Sequence, residues 1–355
     1  MYTLLIVLIL ILFPLDKGKN KTLYIIAITL LLIVIGGFRS EMIGTDTPGY
    51  VQNYLISKYY WWDWHNRLNE NEPLFYAFQH TLSSAGYSYT VFLTFVAAFY
   101  YSVIAIFIRR FSKDARLSFL LFIALGQFLF SMAGIRQTLA MGFQLLCFMS
   151  LLDKKYLKSV IYLLLACGFH ITSIAFAIVY LLPLIPLSWP FVLVIIALTF
   201  LGFTTGGNYA VMAAEMLWGS KRLYAESDGG TSVFLILCVL SAFSLYIYWK
   251  YYRHERKDDN NGKVAKSRDL DFISLSIKML LVALVFQAVS NKQADIFRVT
   301  YMFDITAIAL IPNEILKLKP TPRKIAYWSL VVLIIARWYL LPAGKDFYPY
   351  RFFWE

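Results

Sequence analysis

Long runs of apolar residues, separated by short polar links, repeat along almost the whole chain. At about 1.5 Å of helix rise per residue, most of these runs reach across or nearly across a hydrocarbon layer about 30 Å thick. The pattern predicts an all-α, polytopic transmembrane protein with about 11–12 spans, forming a single domain over residues 1–355. The runs lie near 2–13, 22–37, 89–108, 117–131, 134–152, 156–187, 190–205, 231–249, 272–290, 295–316 and 324–341.

Lysine and arginine residues gather in five of the polar links, at 17–21, 109–116, 154–158, 250–268 and 317–324. Basic links between spans favour the cytoplasmic side, so these clusters orient the chain. On this count the N-terminus and the tail lie outside. An aromatic outer loop at 38–88, a polar outer loop at 206–230 and a charged cytoplasmic loop at 250–271 follow from the same orientation.

The count of crossings comes out odd between the third and fourth of these links, where the topology requires an even number. Dividing the run 156–187 restores the parity. Gly168-Phe169-His170 is the natural break, because glycine weakens a helix and histidine interrupts the apolar sequence. This division brings His170 to the outer face. An intact tilted helix, with a misplaced loop elsewhere, is the alternative.

Composition agrees with a membrane protein. The residues are 59% hydrophobic and 15% charged, and the mean hydropathy is +0.62, which excludes a soluble single-core domain. The net charge of +12 lies mainly in the polar links, so it predicts orientation in a membrane and not nucleic-acid binding. Three cysteines inside apolar runs have no paired spacing, which indicates neither a disulfide framework nor a zinc site.

Polar residues that are able to carry chemistry collect in the segments assigned to the outer face. The loop 38–88 also holds an aromatic cluster at 59–64, which suits either anchoring at the membrane interface or stacking on sugar rings. The polar candidates are Arg39, Glu41, Asp46, Glu72, Arg136, His170, Arg222, Tyr224, Arg298, Tyr301, Tyr350 and Arg351.

The arginines and the histidine of this set indicate which chemistry it can carry out. Arg136 and Arg298 stand near the outer ends of spans, where a planar, permanently charged guanidinium fits a lipid diphosphate. Snorkelling to solvent or anchoring to anionic lipid is the alternative. His170 suits a general base, because imidazole exchanges its proton near neutral pH, or it is a hydrogen-bonded packing residue. Asp46 suits hydroxyl binding, and Glu72 before Pro73 also suits a helix cap.

Seven short segments occur in the order FRSEMIGTDTPGY, NEPLF, GIRQTLAMGF, GFHITSIAF, KRLYAESDGG, DIFRVTYMFDI and YPYRF. Taken together, they resemble the EpsG family of bacterial exopolysaccharide membrane proteins, which groups with Wzy-type O-antigen and capsule polymerases. The resemblance implies a helical fold similar to the GT-C class of glycosyltransferases. It implies polymerisation of oligosaccharide units carried on undecaprenyl diphosphate, at the outer face of the cytoplasmic membrane.

The resemblance also implies roles for single residues. His170, Asp46 and Glu72 are the catalytic candidates, with His170 or Asp46 deprotonating the acceptor hydroxyl. Arginines stabilise the diphosphate, so neither a metal nor a cofactor is expected. Besides the lipid-linked oligosaccharide and membrane lipid, a chain-length regulator and a flippase are expected partners. The residues expected to bind diphosphate or sugar are Arg39, Arg136, Gln137, Tyr224, Arg298, Tyr350 and Arg351.

Two other classes of protein stay open at this point. A flippase or transporter of the lipid-linked glycan predicts internal repeats and charges near the bilayer midplane, and neither pattern is visible in the sequence. Another membrane transferase, either an O-antigen ligase or an acyltransferase, is the second alternative. A ligase would use the same arginines and histidine on the outer face, whereas an acyltransferase should carry its own nucleophile or base motif.

Overall fold

The computed structural model describes residues 1–12, 20–59, 72–206, 231–253, 264–290, 296–340, 347 and 349–355. Within these ranges the chain is helical and contains no strand, apart from an isolated antiparallel bridge between Arg39 and Phe352. The predicted all-α class is therefore confirmed.

Two compact units divide the chain, Met1–Ile174 with Lys319–Glu355, and Ala175–Leu318. The first unit begins with α1 Tyr2–Ile11, α2 Lys21–Gly37, α3 Thr47–Ser57, α4 Pro73–Ser84, α5 Tyr89–Phe111, α6 Ala115–Ala124, α7 Gln127–Ala133, α8 Ile135–Leu152 and α9 Tyr156–Phe169. The second unit contains α10 Trp189–Leu201, α11 Thr231–Ile247, α12 Val264–Ser290, α13 Phe297–Asp304 and α14 Ala307–Ile315. The last helix, α15 Pro320–Leu340, returns to the first unit.

Four helical segments in the described part of the chain are long and apolar enough to cross a membrane: Tyr89–Phe111, Ile135–Leu152, Thr231–Tyr252 and Arg268–Ser290. A fifth arises if α6 and α7, which meet at 54°, form one bent span. Several shorter apolar helices accompany them. The chain is thus a polytopic helical membrane protein, as predicted. The number of about 11–12 spans stays a prediction.

The loop 38–88 is more regular than the sequence suggested, because two helices lie within it. α3 and α4 both carry proline in the first turn, where the missing N–H costs no hydrogen bond. The helix start expected at Glu72-Pro73 is confirmed. Of the aromatic cluster only Tyr59 lies within the described residues, where its side chain is exposed. The loop at 206–230 lies outside them except for its first residue, and the loop at 250–271 is described only at its two ends.

The run 156–187 is broken at the predicted position. α9 ends at Phe169, His170 adopts an extended backbone with φ −156° and ψ 113°, and a 3₁₀ helix follows from Ile171 to Tyr180. Gly168 lies against α4, since a Cβ atom there would approach Leu74 Cδ1 to 2.6 Å. The division of the run is confirmed, and the close approach brings the end of α9 to the start of α4.

A second interruption separates α6, α7 and α8. Gly126 adopts φ +82°, a left-handed conformation that favours glycine, and Gly134 separates α7 from α8. Arg337 on α15 donates from Nε to the carbonyl oxygen of Ala124 at 2.8 Å, which satisfies an end of α6 that has no helical partner. The interruption places Arg136 in the first turn of α8.

An aromatic core joins the helices of the outer loop to the spans of the first unit. Buried side chains from α3, α4, α5 and α8 pack together there, and Phe169 at the end of α9 packs against them. Each fully buried large apolar side chain contributes about 1.5–3 kcal/mol, so this cluster holds the loop helices firmly. Its buried members are Tyr50, Tyr54, Phe75, Tyr89, Phe92, Leu93, Val96, Ile135 and Leu139.

The second unit also contains buried ionisable side chains, and Lys278 and Glu314 are two of them. Lys278 on α12 donates to the carbonyl oxygens of Leu182 and Ile185, each at 2.7 Å, where the 3₁₀ segment ends. Glu314 on α14 accepts a hydrogen bond from Ser244 Oγ at 2.7 Å. The hydrogen bonds of Lys278 and Glu314 each join two elements that otherwise pack through apolar side chains. Such polar contacts favour a single register between the packed elements.

Candidate functional site

Three side chains from distant segments of the first unit meet at the carboxylate of Glu72. Its Oε1 accepts a hydrogen bond from His170 Nδ1 at 2.5 Å, and its Oε2 accepts one from Arg136 Nη1. The partners lie 98 and 64 residues further along the chain. Only 5% of the Glu72 side chain is exposed, against 13% for His170 and 25% for Arg136. The carboxylate is therefore the centre of the cluster, with the cation closer to solvent.

Each of the three residues stands where a helix begins or ends. Glu72 precedes Pro73 at the start of α4, Arg136 lies in the first turn of α8, and His170 follows the last residue of α9. Backbone that leaves the helical path directs a side chain differently from the regular path in the middle of a helix. The breaks in the sequence pattern thus produce the site.

Tyr50 is a fourth member of the cluster, and the sequence reasoning did not single it out. Arg136 donates from Nε to the Tyr50 hydroxyl oxygen at 3.1 Å, and its guanidinium carbon lies 5.6 Å from the ring centroid. Tyr50 is buried and follows Asp46 by one helical turn, with its amide donating to the Asp46 carbonyl oxygen at 3.3 Å. The available signal was that Tyr50 closes the GTDTPGY segment.

Charge governs the electrostatics of this cluster. Burial by itself raises the pKa of the Glu72 carboxyl. The hydrogen bonds and charges of His170 and Arg136 have the larger and opposite effect, so the pKa lies below its usual value. Burial raises the pKa of Tyr50 and raises that of Tyr76, one turn after Glu72, to about 12. At neutral pH the site therefore holds a carboxylate beside two protonated phenols.

Arg39 has a different kind of environment. It is 3% exposed, and its guanidinium donates to the backbone carbonyl oxygens of Gly36, Ile43 at 3.3 Å and Met132 at 2.8 Å. Thr47 Oγ1 donates to Ile43 at 2.8 Å and lies 3.3 Å from the Met132 oxygen. These contacts fix the loop before α3 against the end of α7. The expected role of Arg39 in substrate binding stays a prediction.

Gly44 shows how closely this loop approaches α7. Its φ of +105° is open to glycine and strained for other residues, and a Cβ atom would lie 2.6 Å from the Met132 carbonyl oxygen. The Gly-Thr-Asp segment therefore requires glycine for two independent reasons. Asp46, a catalytic candidate, is half-buried and precedes α3, and its charge acts on Tyr50.

The other predicted site residues occupy various places. Gln137 is buried beside Arg136 in α8. Tyr350 donates from its hydroxyl to the carbonyl oxygen of Ile35 at 2.7 Å, and Arg351 is exposed, with its backbone oxygen accepting from Ser40 N at 2.9 Å. Arg298 is half-buried in α13 of the second unit, so its expected convergence with Arg136 stays a prediction. Tyr224 lies outside the described residues.

No set of three or more His, Cys, Asp and Glu side chains is placed to hold a metal ion in the part of the chain that the structure describes. Glu72 and His170 are of residue types that bind metal ions, but in this cluster they are hydrogen-bonded to each other. The arrangement itself is suited to proton transfer at His170 Nε2, because Nδ1 is committed to the carboxylate.

Fold and site together define a polytopic helical membrane protein with a polar centre of carboxylate, imidazole and guanidinium. The chain belongs to the EpsG family, whose model matches residues 21–352. EpsG proteins are a family of Wzy-like polysaccharide polymerases, and membership agrees with the membrane environment that the apolar helices indicate. No curated protein and no solved structure matches the chain.

Proposed function

We propose that this chain is a glycosyltransferase that joins oligosaccharide units carried on undecaprenyl diphosphate, at the outer face of the bacterial cytoplasmic membrane. The observation that carries the proposal is the Glu72 carboxylate, which binds His170 and Arg136 at the same time. One cluster thus combines a group that accepts a proton with a cation suited to phosphate. Family membership supports the polymerase class.

His170 acts as the general base in this proposal. Its Nδ1–H is held by Glu72, so the lone pair of neutral imidazole lies on Nε2. The acceptor hydroxyl gives its proton to Nε2 while its oxygen forms a bond to the anomeric carbon of the donor sugar. The bond from that carbon to the diphosphate oxygen breaks, and the electron pair leaves with the lipid diphosphate. Glu72 stabilises the imidazolium that results.

Arg136 stabilises the charge of the departing diphosphate. Two of the five N–H donors that a guanidinium carries are used on Glu72 and Tyr50, which fixes its plane and leaves the others for phosphate oxygens. A cation preorganised in this way lowers the barrier without a metal, and we propose a metal-independent, GT-C-like enzyme. Arg298 and Tyr224 are proposed as further substrate ligands, and a flippase and a chain-length regulator as partners.

The test is a set of variants in a strain that lacks the wild-type gene. His170→Ala and Glu72→Gln should lower chain extension by about 10²- to 10⁴-fold, the usual contribution of a positioned base. His80→Ala is the matched control, because His80 on α4 contacts the backbone oxygen of Ser57 at 2.6 Å and lies outside the cluster. Gels of the surface polysaccharide give chain length, and blots give the amount of inserted protein.

Accumulated material separates the classes. Loss of a polymerase leaves single repeat units on the final acceptor, whereas loss of a flippase leaves none. Loss of a ligase would leave long chains on the lipid carrier. Wild-type chain lengths from His170→Ala, at normal protein levels, would remove the base from this proposal, and the absence of single units would remove the polymerase.

A further inference from the structure

A groove runs between α2 and α5 on the surface of the first unit. Its volume is about 300 Å³. Small side chains, Thr29, Ser102 and Ala105, leave the space, and Ile26 and Ile106 border it with about half of their surface exposed. Because α5 is a candidate span and α2 an apolar helix, we expect the groove to face lipid hydrocarbon. A chain-shaped apolar ligand fits such a space.

Positive charge gathers at one end of the groove. Arg109, in the last turn of α5, lines it and is exposed, and no carboxylate in the described residues forms a salt bridge with it. Lys21 in the first turn of α2 donates from Nζ to the carbonyl oxygen of Ser112 at 2.7 Å, which holds a second cation beside the end of α5. The neighbouring Arg110 differs, since it forms a salt bridge with Asp153.

The dimensions separate two kinds of occupant. Lining residues on α2 run from Thr22 to Ile33, about 16 Å at 1.5 Å of rise per residue. A transmembrane helix of a partner protein has a diameter of about 10–12 Å with its side chains. Over the same length, such a helix would occupy several times the volume of the groove. An acyl chain is narrow and apolar, and a phosphate attached to it would reach the cationic end.

We propose that the groove between α2 and α5 is a binding site for an anionic phospholipid, with an acyl chain along the groove and the phosphate on Arg109. Charge complementarity favours an anionic lipid over an uncharged one, because an uncharged lipid would occupy the groove without pairing with the Arg109 cation. The site is separate from the Glu72 cluster, and its test does not depend on polymerase activity. The positive-inside orientation assigns the cationic end to the cytoplasmic leaflet.

The first experiment measures lipid binding to the purified full-length protein. Native mass spectrometry and thermal melting are compared with dioleoylphosphatidylglycerol and with dioleoylphosphatidylcholine. The anionic lipid should bind more tightly and raise the melting temperature more. Arg109→Ala should weaken its apparent affinity by about fivefold, the usual contribution of one basic residue near a membrane surface. Arg110→Ala removes an equal charge from the same turn and should bind the anionic lipid as the wild type does.

The second experiment fills the groove and leaves the charge in place. Ala105→Leu and, separately, Ser102→Leu should weaken binding of the anionic lipid, while melting without added lipid shows that each variant is folded. Two results would overturn the proposal. Equal binding of the two lipids would show that charge does not select the occupant. Equal losses from Arg109→Ala and Arg110→Ala would show a diffuse surface effect and no defined site.

Discussion

Arg39 lies at the start of the outer loop 38–88 and Arg136 contacts the same loop from α8, yet their side chains are used differently. Arg39 is 3% exposed and binds backbone carbonyl oxygens, whereas the Arg136 side chain is 25% exposed and binds the side chains of Glu72 and Tyr50. Backbone oxygens hold a loop in place and have no chemistry of their own. Residue type and position along the sequence therefore do not distinguish an arginine that binds backbone from one that joins a cluster of polar side chains, but hydrogen-bond partners do.

The difference also concerns charge. Burial lowers the pKa of the Arg39 guanidinium, as expected when a cation leaves water, and the surrounding tyrosine side chains, with Tyr89 first, offset this only in part. Arg136 instead has a carboxylate partner, which keeps a cation stable close to solvent. We infer that Arg39 positions the loop and that Arg136 meets the substrate, and the following experiments test this contrast.

The largest effect is expected from Arg136→Ala. Removing a preorganised donor to developing negative charge should lower chain extension by about 10³-fold, while Glu72 keeps its bond to His170 and the protein still inserts. Arg110→Ala is the control, because it removes an ion pair at the other end of α8. Polysaccharide gels read the activity, and normal chain lengths from Arg136→Ala would contradict the assignment.

Arg39→Ala should act mainly on stability. The change deletes the hydrogen bonds from one charged donor group to three carbonyl oxygens, which we expect to cost about 3 kcal/mol of unfolding free energy. Thermal unfolding of the purified protein measures the loss. Arg351→Ala, an exposed arginine in the tail, should change stability little. If Arg39→Ala melted like the wild type but lost activity, the contrast between the two arginines would fail.

A smaller effect is expected from Tyr50→Phe. The ring stays in the aromatic core, but Arg136 loses an acceptor for Nε, so we expect about a tenfold fall in rate. Tyr54→Phe is the matched control, since its hydroxyl donates to the Tyr87 carbonyl oxygen at 2.8 Å within the same core. Similar melting temperatures with different activities would support a positioning role for Tyr50. Equal activities would remove it.

The smallest effect is the dependence of stability on acid. Because the folded pKa of Glu72 lies below the ordinary value of 4.5, its stabilising contribution is present above that pH and is lost as the pH falls through the folded pKa. The wild type should therefore lose its advantage over Glu72→Gln in melting temperature as the buffer becomes more acidic. An advantage that is independent of pH would contradict an ionised carboxylate at this position.

Much of the helical architecture was predictable from the sequence, whereas the contacts of Glu72 with Arg136 and His170 were not. Apolar periodicity indicated the helices, and the glycine before His170 indicated the break, because both are local properties. The sequence placed Glu72, Arg136 and His170 together on the outer face, but it did not indicate that they contact one another. Their meeting depends on the angle between interrupted helices, which periodicity does not encode. Tyr50 was missed because an aromatic residue in an outer loop also suits an interfacial anchor.

The antiparallel bridge between Arg39 and Phe352 ties the end of the chain to the loop that supports the site, and Tyr350 binds an oxygen that lies 315 residues earlier. During synthesis these contacts form only after α15 and the segment that follows it have been made. A chain that stops before Tyr350 would therefore leave the loop at Arg39 without these contacts.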